Sequence, residues 1–219
     1  MSEAAHTSSN TAGPRPTGTS RTAPGMTTTR DIARAAVRAR LAEVAFDLFR
    51  REGFDKVTVI EVSAAAGVSR STFLRYFTSK EDAILSSFDA QDELAEQALL
   101  ACPADQDDWT ALQQAMSTTL EPFRRDQREF LPLARLIENT PALTAGRREK
   151  QVLWRDALAR ALTRRAGGSA AEETPLPALV RAAAAIECMN IAVAQWARSD
   201  GDANLDDLLT AAFAALRED

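Results

Sequence analysis

Histidine and cysteine are nearly missing from this sequence. The single histidine, His6, lies close to the N-terminus, and the two cysteines, Cys102 and Cys188, are far apart with no C-x-x-C spacing. Neither a zinc site nor a disulfide framework can be assembled from that set. No glycine-rich phosphate loop, nucleophile elbow or metal-ligand cluster is visible either, so the sequence argues against an enzyme and no cofactor is expected. Glycine and proline number only nine each, and no convincing strand pattern occurs. Also missing is any run of about 18 uncharged apolar residues, so no membrane partner is expected. The N-terminus lacks the apolar core of a signal peptide. A reduced cytoplasm is the location these absences fit.

What is present favours helices. Hydrophobic residues make up 45% and charged residues 26% of the chain, with alanine and leucine abundant, which predicts an all-α globular protein. The net charge of −5 argues against a nucleic-acid partner until it is resolved along the chain. From Arg30 to Lys80 ten cations face six carboxylates, a net of +4, whereas from Glu81 onward fourteen cations face twenty-four carboxylates, a net of −10. A basic N-terminal third on an acidic remainder suggests that one part meets a polyanion and the other does not.

Residues 1–28 are rich in Ser, Thr, Pro and Gly and poor in large apolar side chains, so they are expected to form a disordered arm. Arg15, Arg21 and Arg30 either touch DNA phosphates or a minor groove or belong to a solvated tail with no such role. A first helix is predicted over 31–52, with Val37, Leu41, Val44, Leu48, Phe46 and Phe49 toward the core and Gly53 as its stop. Thr58 and Glu61 form a capping box that starts a short helix whose inward face is Val59, Val62 and Ala66. Gly67 turns the chain, and Ser69 caps a second short helix in which Phe73 and Phe77 face inward while Arg70, Ser71, Leu74 and Arg75 face outward. Two short helices about a glycine turn make a helix-turn-helix. A second capping box at Thr78–Glu81 opens a long connector through Ile84, Leu85, Phe88, Leu94 and Leu99. Later helices are predicted over 109–126, 128–139, 141–166, 179–198 and 205–217, nine helices in all. The domain division is then arm 1–28, helix-turn-helix domain 29–80, and a larger helical domain 81–219.

The stretch TVIEVSAAAGVSRSTFLRYFTSKE, from Thr58 to Glu81, resembles the TetR family signature, in which T-V-x-x-I-A-x-x-A-G-V-S runs into T-L-Y-x-Y-F-x-S-K-E. The family's common Leu-Tyr pair is Phe73-Leu74 here, so Leu74 cannot hydrogen-bond a phosphate but can pack on a thymine methyl. The resemblance implies that the second short helix enters the major groove of a near-palindromic double-stranded DNA operator. Arg70 and Ser71 would then reach base edges, while Thr58, Ser69, Thr72, Arg75, Tyr76 and Lys80 would meet phosphates. For Tyr76, a half-buried ring against the first helix is the competing reading.

Beyond Glu81, the segment Leu136–Leu143 with Arg147, Arg148, Trp154 and Leu158 resembles the regulatory domain of the TetR branch associated with the mycofactocin system and acyl-CoA-like ligands. That resemblance implies an acyl pocket lined by Trp109, Met116, Phe123, Phe130, Leu133, Ile137 and Trp154. The alternative is that these aromatics are ordinary core. Apolar residues on the last two helices, among them Val180, Met189, Leu209 and Phe213, cover faces too wide for one partner, so a homodimer is expected, with packing inside the chain as the alternative. The function implied is a repressor released from its operator by a small hydrophobic or acyl-CoA-like effector. The rival is a helical ligand-sensing or protein-interaction module that no longer binds DNA.

Overall fold

A computed structural model describes residues 28–89, 91–168 and 174–217. The predicted arm lies outside these residues except for Thr28, which N-caps α1 (Thr29–Glu52). Its hydroxyl accepts from the Asp31 amide while the Asp31 carboxylate accepts from Thr28 in return. The helix therefore starts earlier than its apolar spacing indicates. Gly53 ends it, donating its N–H to the Phe49 carbonyl.

After a 3-10 turn over Phe54–Lys56 come α2 (Val59–Ala65), α3 (Arg70–Leu74) and α4 (Lys80–Leu85), then a second 3-10 turn, Ser86–Phe88, and α5 (Gln91–Ala101). The larger domain continues through α6 (Asp108–Thr119), α7 (Glu121–Arg125), α8 (Gln127–Asn139), α9 (Pro141–Arg165), α10 (Leu176–Arg198) and α11 (Leu205–Ala214). These are eleven α-helices among the described residues, more than the nine predicted, because two predicted helices are broken. The connector is interrupted between α4 and α5. The Ser86 hydroxyl bonds back to the Ala83 carbonyl at 2.7 Å, and the Asp89 carboxylate is drawn into ion pairs with other helices. The helix predicted over 109–126 divides at Leu120, because Pro122 restarts the chain in the first turn of α7.

Two apolar cores result. The first gathers Leu41, Ala45, Phe49, Phe54, Val62, Phe73 and Phe77 from the N-terminal elements, with Ile84 and Leu85 of α4, and is closed by Leu133, Ile137 and Leu143 of α8 and α9. The second is built from α5, α6, α9, α10 and α11, and Phe88 and Phe130 pack against both. The helix-turn-helix elements thus rest directly on the larger domain. Val37, predicted to face the core, is exposed instead, since α1 outruns the elements that could cover its first turns. Among the described residues α10 is the one helix long and apolar enough by composition to cross a membrane. Here Ala182, Ile186, Met189, Val193 and Trp196 bury its apolar face in the second core.

Candidate DNA-binding face and effector cavity

The helix-turn-helix is fixed by short-range chemistry. Thr58 and Glu61 form the predicted capping box, with the Thr58 amide donating to Glu61 at 2.7 Å. The Thr58 amide and hydroxyl together hold the Glu61 carboxyl below its ordinary value. Gly67, at φ 69°, makes the turn that an L side chain would strain. The Ser69 hydroxyl accepts from the Thr72 amide at 3.1 Å and lies 2.9 Å from both the Ser71 and the Thr72 hydroxyl. With Phe73 and Phe77 fully buried, α3 shows Arg70, Ser71, Leu74 and Arg75 to solvent. Tyr76 is half-buried, with the Arg75 guanidinium 5.5 Å from its ring centroid. Thr58 and Ser69 are exposed and Thr72 is half-buried.

Lys80 is placed differently from its predicted phosphate contact. Its ammonium donates to the Phe54 carbonyl at 2.7 Å and the Val57 carbonyl at 3.0 Å, and sits 4.2 Å from the Phe54 ring centroid. The lysine pins the chain entering α2 to the start of α4, a tie that no local pattern signals. Buried Ser63, bonded to the Val59 carbonyl at 2.6 Å, was likewise not singled out by sequence reasoning.

The seven predicted ligand residues do not line one pocket, because most find partners in the cores. Met116 is sealed, and Trp109 donates its indole N–H to the Phe213 carbonyl at 3.1 Å. Phe123 packs on Phe130, Phe88 and Trp196. Phe130 and Leu133 border a wide groove between α1 and α8, and Ile137 borders a smaller cleft among α8, α9 and α10. Only Trp154 reaches an apolar cavity of about 290 Å³ between the α4–α5 junction and α9. Its other walls are Leu85, Phe88, Leu153, Asp89, Gln91, Arg147, Lys150 and Gln151. Gly146 admits α9 to this seam, since a β-carbon there would sit 2.9 Å from Leu85 Cδ1. Lys150 and Gln151, not expected at the site from the sequence, had a signal: with Arg147 and Trp154 they follow the i, i+3, i+4, i+7 spacing of one helix face.

Polar groups at the cavity are organised. Arg147 donates to Asn190 at 2.8 Å and lies 3.9 Å from Glu138. Lys150 pairs with Asp89 at 2.7 Å and Asp82 at 3.2 Å. Burial opposes charge on Asp82, but the Thr78 amide and Lys150 outweigh it and hold its carboxyl below the ordinary value. This pairing stabilises the fold above the ordinary aspartate range and is lost as pH falls through the lowered value. Replacing Asp82 by asparagine is therefore expected to reduce the acid dependence of the melting temperature below pH 4–5.

The description "Bacterial regulatory proteins, tetR family" matches residues 41–85, and the description "MftR C-terminal domain" matches residues 106–219. The chain belongs to the TetR family. This TetR-family protein pairs the N-terminal helix-turn-helix domain with a C-terminal domain of the MftR type. Two curated relatives are named as transcriptional regulators. TcmR of Streptomyces glaucescens is 31% identical over 136 residues, 59% of this chain and 60% of that protein. MftR of Mycobacterium tuberculosis, named for mycofactocin biosynthesis, is 31% identical over 140 residues, 62% of this chain and 68% of that protein. The chain thus spans less than two thirds of the length of TcmR. In fold it is similar to Thermus thermophilus FadR, described as a TetR-family transcriptional repressor in complex with lauroyl-CoA. The TM-score is 0.54 at 23% identity, over 83% of this chain and 93% of that one.

Proposed function

We propose that this TetR-family protein is a homodimeric transcriptional repressor that leaves a near-palindromic operator when a small hydrophobic or amphipathic effector occupies its larger domain. The observation that carries the reading is α3 itself. A five-residue helix anchored by buried Phe73 presents Arg70, Ser71 and Leu74 outward, with exposed Arg75 at its C-cap, and α4, which follows it directly, forms a wall of the apolar cavity. Arg70 and Ser71 read base edges, Leu74 packs on a thymine methyl, and Thr58, Ser69, Thr72, Arg75 and Tyr76 hold phosphates. The Lys80 ammonium is engaged inside the domain and does not join the phosphate ligands.

A dimer sets the spacing of two such helices near one turn of DNA, about 34–36 Å, so a modest movement of α4 spoils the fit. An effector shifts the balance only if it prefers the non-binding state. The lauroyl-CoA of the Thermus protein supports an acyl-bearing effector class.

Arg70→Ala is expected to lose roughly 1–3 kcal/mol at one operator position, whereas Arg75→Ala weakens all sequences alike. Gel shifts on operator variants and on random duplex separate the two, and equal losses for Arg70→Ala on both contradict its role at a base. No salt-sensitive binding to random duplex at low salt points instead to a helical module that does not bind DNA.

A further inference from the structure

We propose that the cavity between α4 and α9 is the effector site, that it selects a compact amphipathic organic acid, and that Lys150 reads the acid out to the DNA-binding domain. The inference rests on the ligand-responsive reading above and names its ligand chemistry.

Two observations define the ligand. The first is a surplus of donors. The indole N–H of Trp154, on a residue only 3% exposed, is buried with no acceptor among the described residues. Arg147 makes one short hydrogen bond, to Asn190, and Lys150 divides its ammonium between Asp82 and Asp89. Against these donors the cavity offers one carboxylate, Asp89, whose second oxygen is already bound to Arg38 at 2.6 Å. The unpartnered indole N–H calls for a ligand that brings an acceptor, and the Lys150 ammonium, shared between two carboxylates, can exchange one of them for a ligand's carboxylate. The second observation is size and lining. Leu85, Phe88 and Trp154 furnish apolar walls, but about 290 Å³ lies at the lower end of the ~300–1,000 Å³ typical of ligand sites. That space fits a medium-length acyl or aryl acid and is too small to enclose the nucleotide of a coenzyme A thioester, whose thioester carbonyl also brings no charge to Lys150.

The route outward is a chain of ion pairs. Lys150 of α9 is held between Asp82 in α4 and Asp89 just beyond it. The second oxygen of Asp82 accepts from the Thr78 amide at 2.9 Å, in the turn that follows Phe77, and Asp89 holds Arg38 of α1. One ammonium thus fastens both sides of the α4 segment to the larger domain. A ligand carboxylate at Lys150 competes with Asp82 and Asp89 and loosens the tie of that segment, and of the Arg38 held by Asp89, to α9. Burial disfavours charge on Lys150, yet the two aspartates raise its pKa, so the ammonium is a cation when the acid arrives.

Octanoate, octanol and octanoyl-CoA titrated calorimetrically into the full-length protein, with gel shifts on random duplex at low salt, test this. Octanoate is expected to bind at least about tenfold more tightly than either other compound and to lower DNA affinity over the same range. Lys150→Met should erase the preference over octanol and Lys150→Arg should restore most of it. Asp89→Asn should keep octanoate binding while DNA affinity stops responding. Tighter binding of octanoyl-CoA or octanol, no binding of octanoate, or an unchanged preference in Lys150→Met overturns the proposal while leaving the repressor reading in place. Absence of DNA binding by the ligand-free protein overturns that reading, and the coupling with it.

Discussion

Phe73→Ala is expected to destabilise the helix-turn-helix by about 3–5 kcal/mol and to abolish DNA binding. The ring is fully buried, 5.3 Å from that of Phe77, in the core that also holds Phe49, Phe54 and Val62. An isolated helix of five residues has no stability of its own, because nucleation costs more than so few hydrogen bonds return. The position of Arg70 and Ser71 therefore depends on this one anchor. The expected loss is a large part of the ~5–15 kcal/mol that holds a typical protein folded. Thermal or urea unfolding should show it, together with loss of binding to any duplex. Leu74→Ala, one residue on and exposed, is expected to change stability by no more than about 0.5 kcal/mol. A Phe73→Ala protein that melts normally and still binds DNA contradicts the assignment of α3 as an anchored reading helix.

The second large effect concerns assembly, where the structure moves the expected interface residues. Leu209 and Phe213, predicted to meet a partner subunit, are each 1% exposed and packed inside their own chain against α6 and α10. A charge there damages folding of the subunit and says nothing about dimers. The uncovered apolar positions are Leu176, Val180 and Ile191 on α10, with the small Ala183 on the same exposed stripe, and Leu216 beyond α11. These α10 positions recur at helical spacing along one side, as a symmetric helix-on-helix contact requires. Val180→Glu with Ile191→Glu is expected to place unpaired carboxylates in that contact. The cost should be roughly 3 kcal/mol or more, a shift in dimer dissociation of over a hundredfold. Sedimentation should report monomers with an intact melting transition. A dimer that persists in the double variant places the interface off α10, and a wild-type monomer removes the homodimer from the proposed function.

Much of the DNA-binding half was legible in the sequence. Thr58 and Glu61, Gly67, Ser69, and the Phe73–Phe77 pair act within a few residues of one another. Caps, turns and apolar spacing therefore fixed α2, the turn and α3 without reference to the rest of the chain. Helix continuity was less legible. The connector breaks at Ser86–Phe88 beside an aspartate engaged with α1 and α9, and periodicity carries no record of such distant partners. The ligand residues were the least legible. Trp109, Met116 and Phe123 have the composition of a pocket wall, but the same side chains make a well-packed core, and packing in three dimensions decides between the two.

The sequence by itself therefore determined the helical class and a helix-turn-helix with outward-facing Arg70, Ser71, Leu74 and Arg75, because those follow from local hydrogen bonding and apolar period, while its TetR type came from the resemblance of Thr58–Glu81 to the family signature. Only the tertiary structure decided that Lys80 is an internal tie, that Leu209 and Phe213 belong to the subunit core, and that the cavity lies between Leu85–Gln91 and Arg147–Trp154. Each of these depends on segments distant in sequence being pressed together. Burial of Phe49, Phe88 and Trp154 drives that contact, and the ion pairs of Lys150 with Asp82 and Asp89 fix its register.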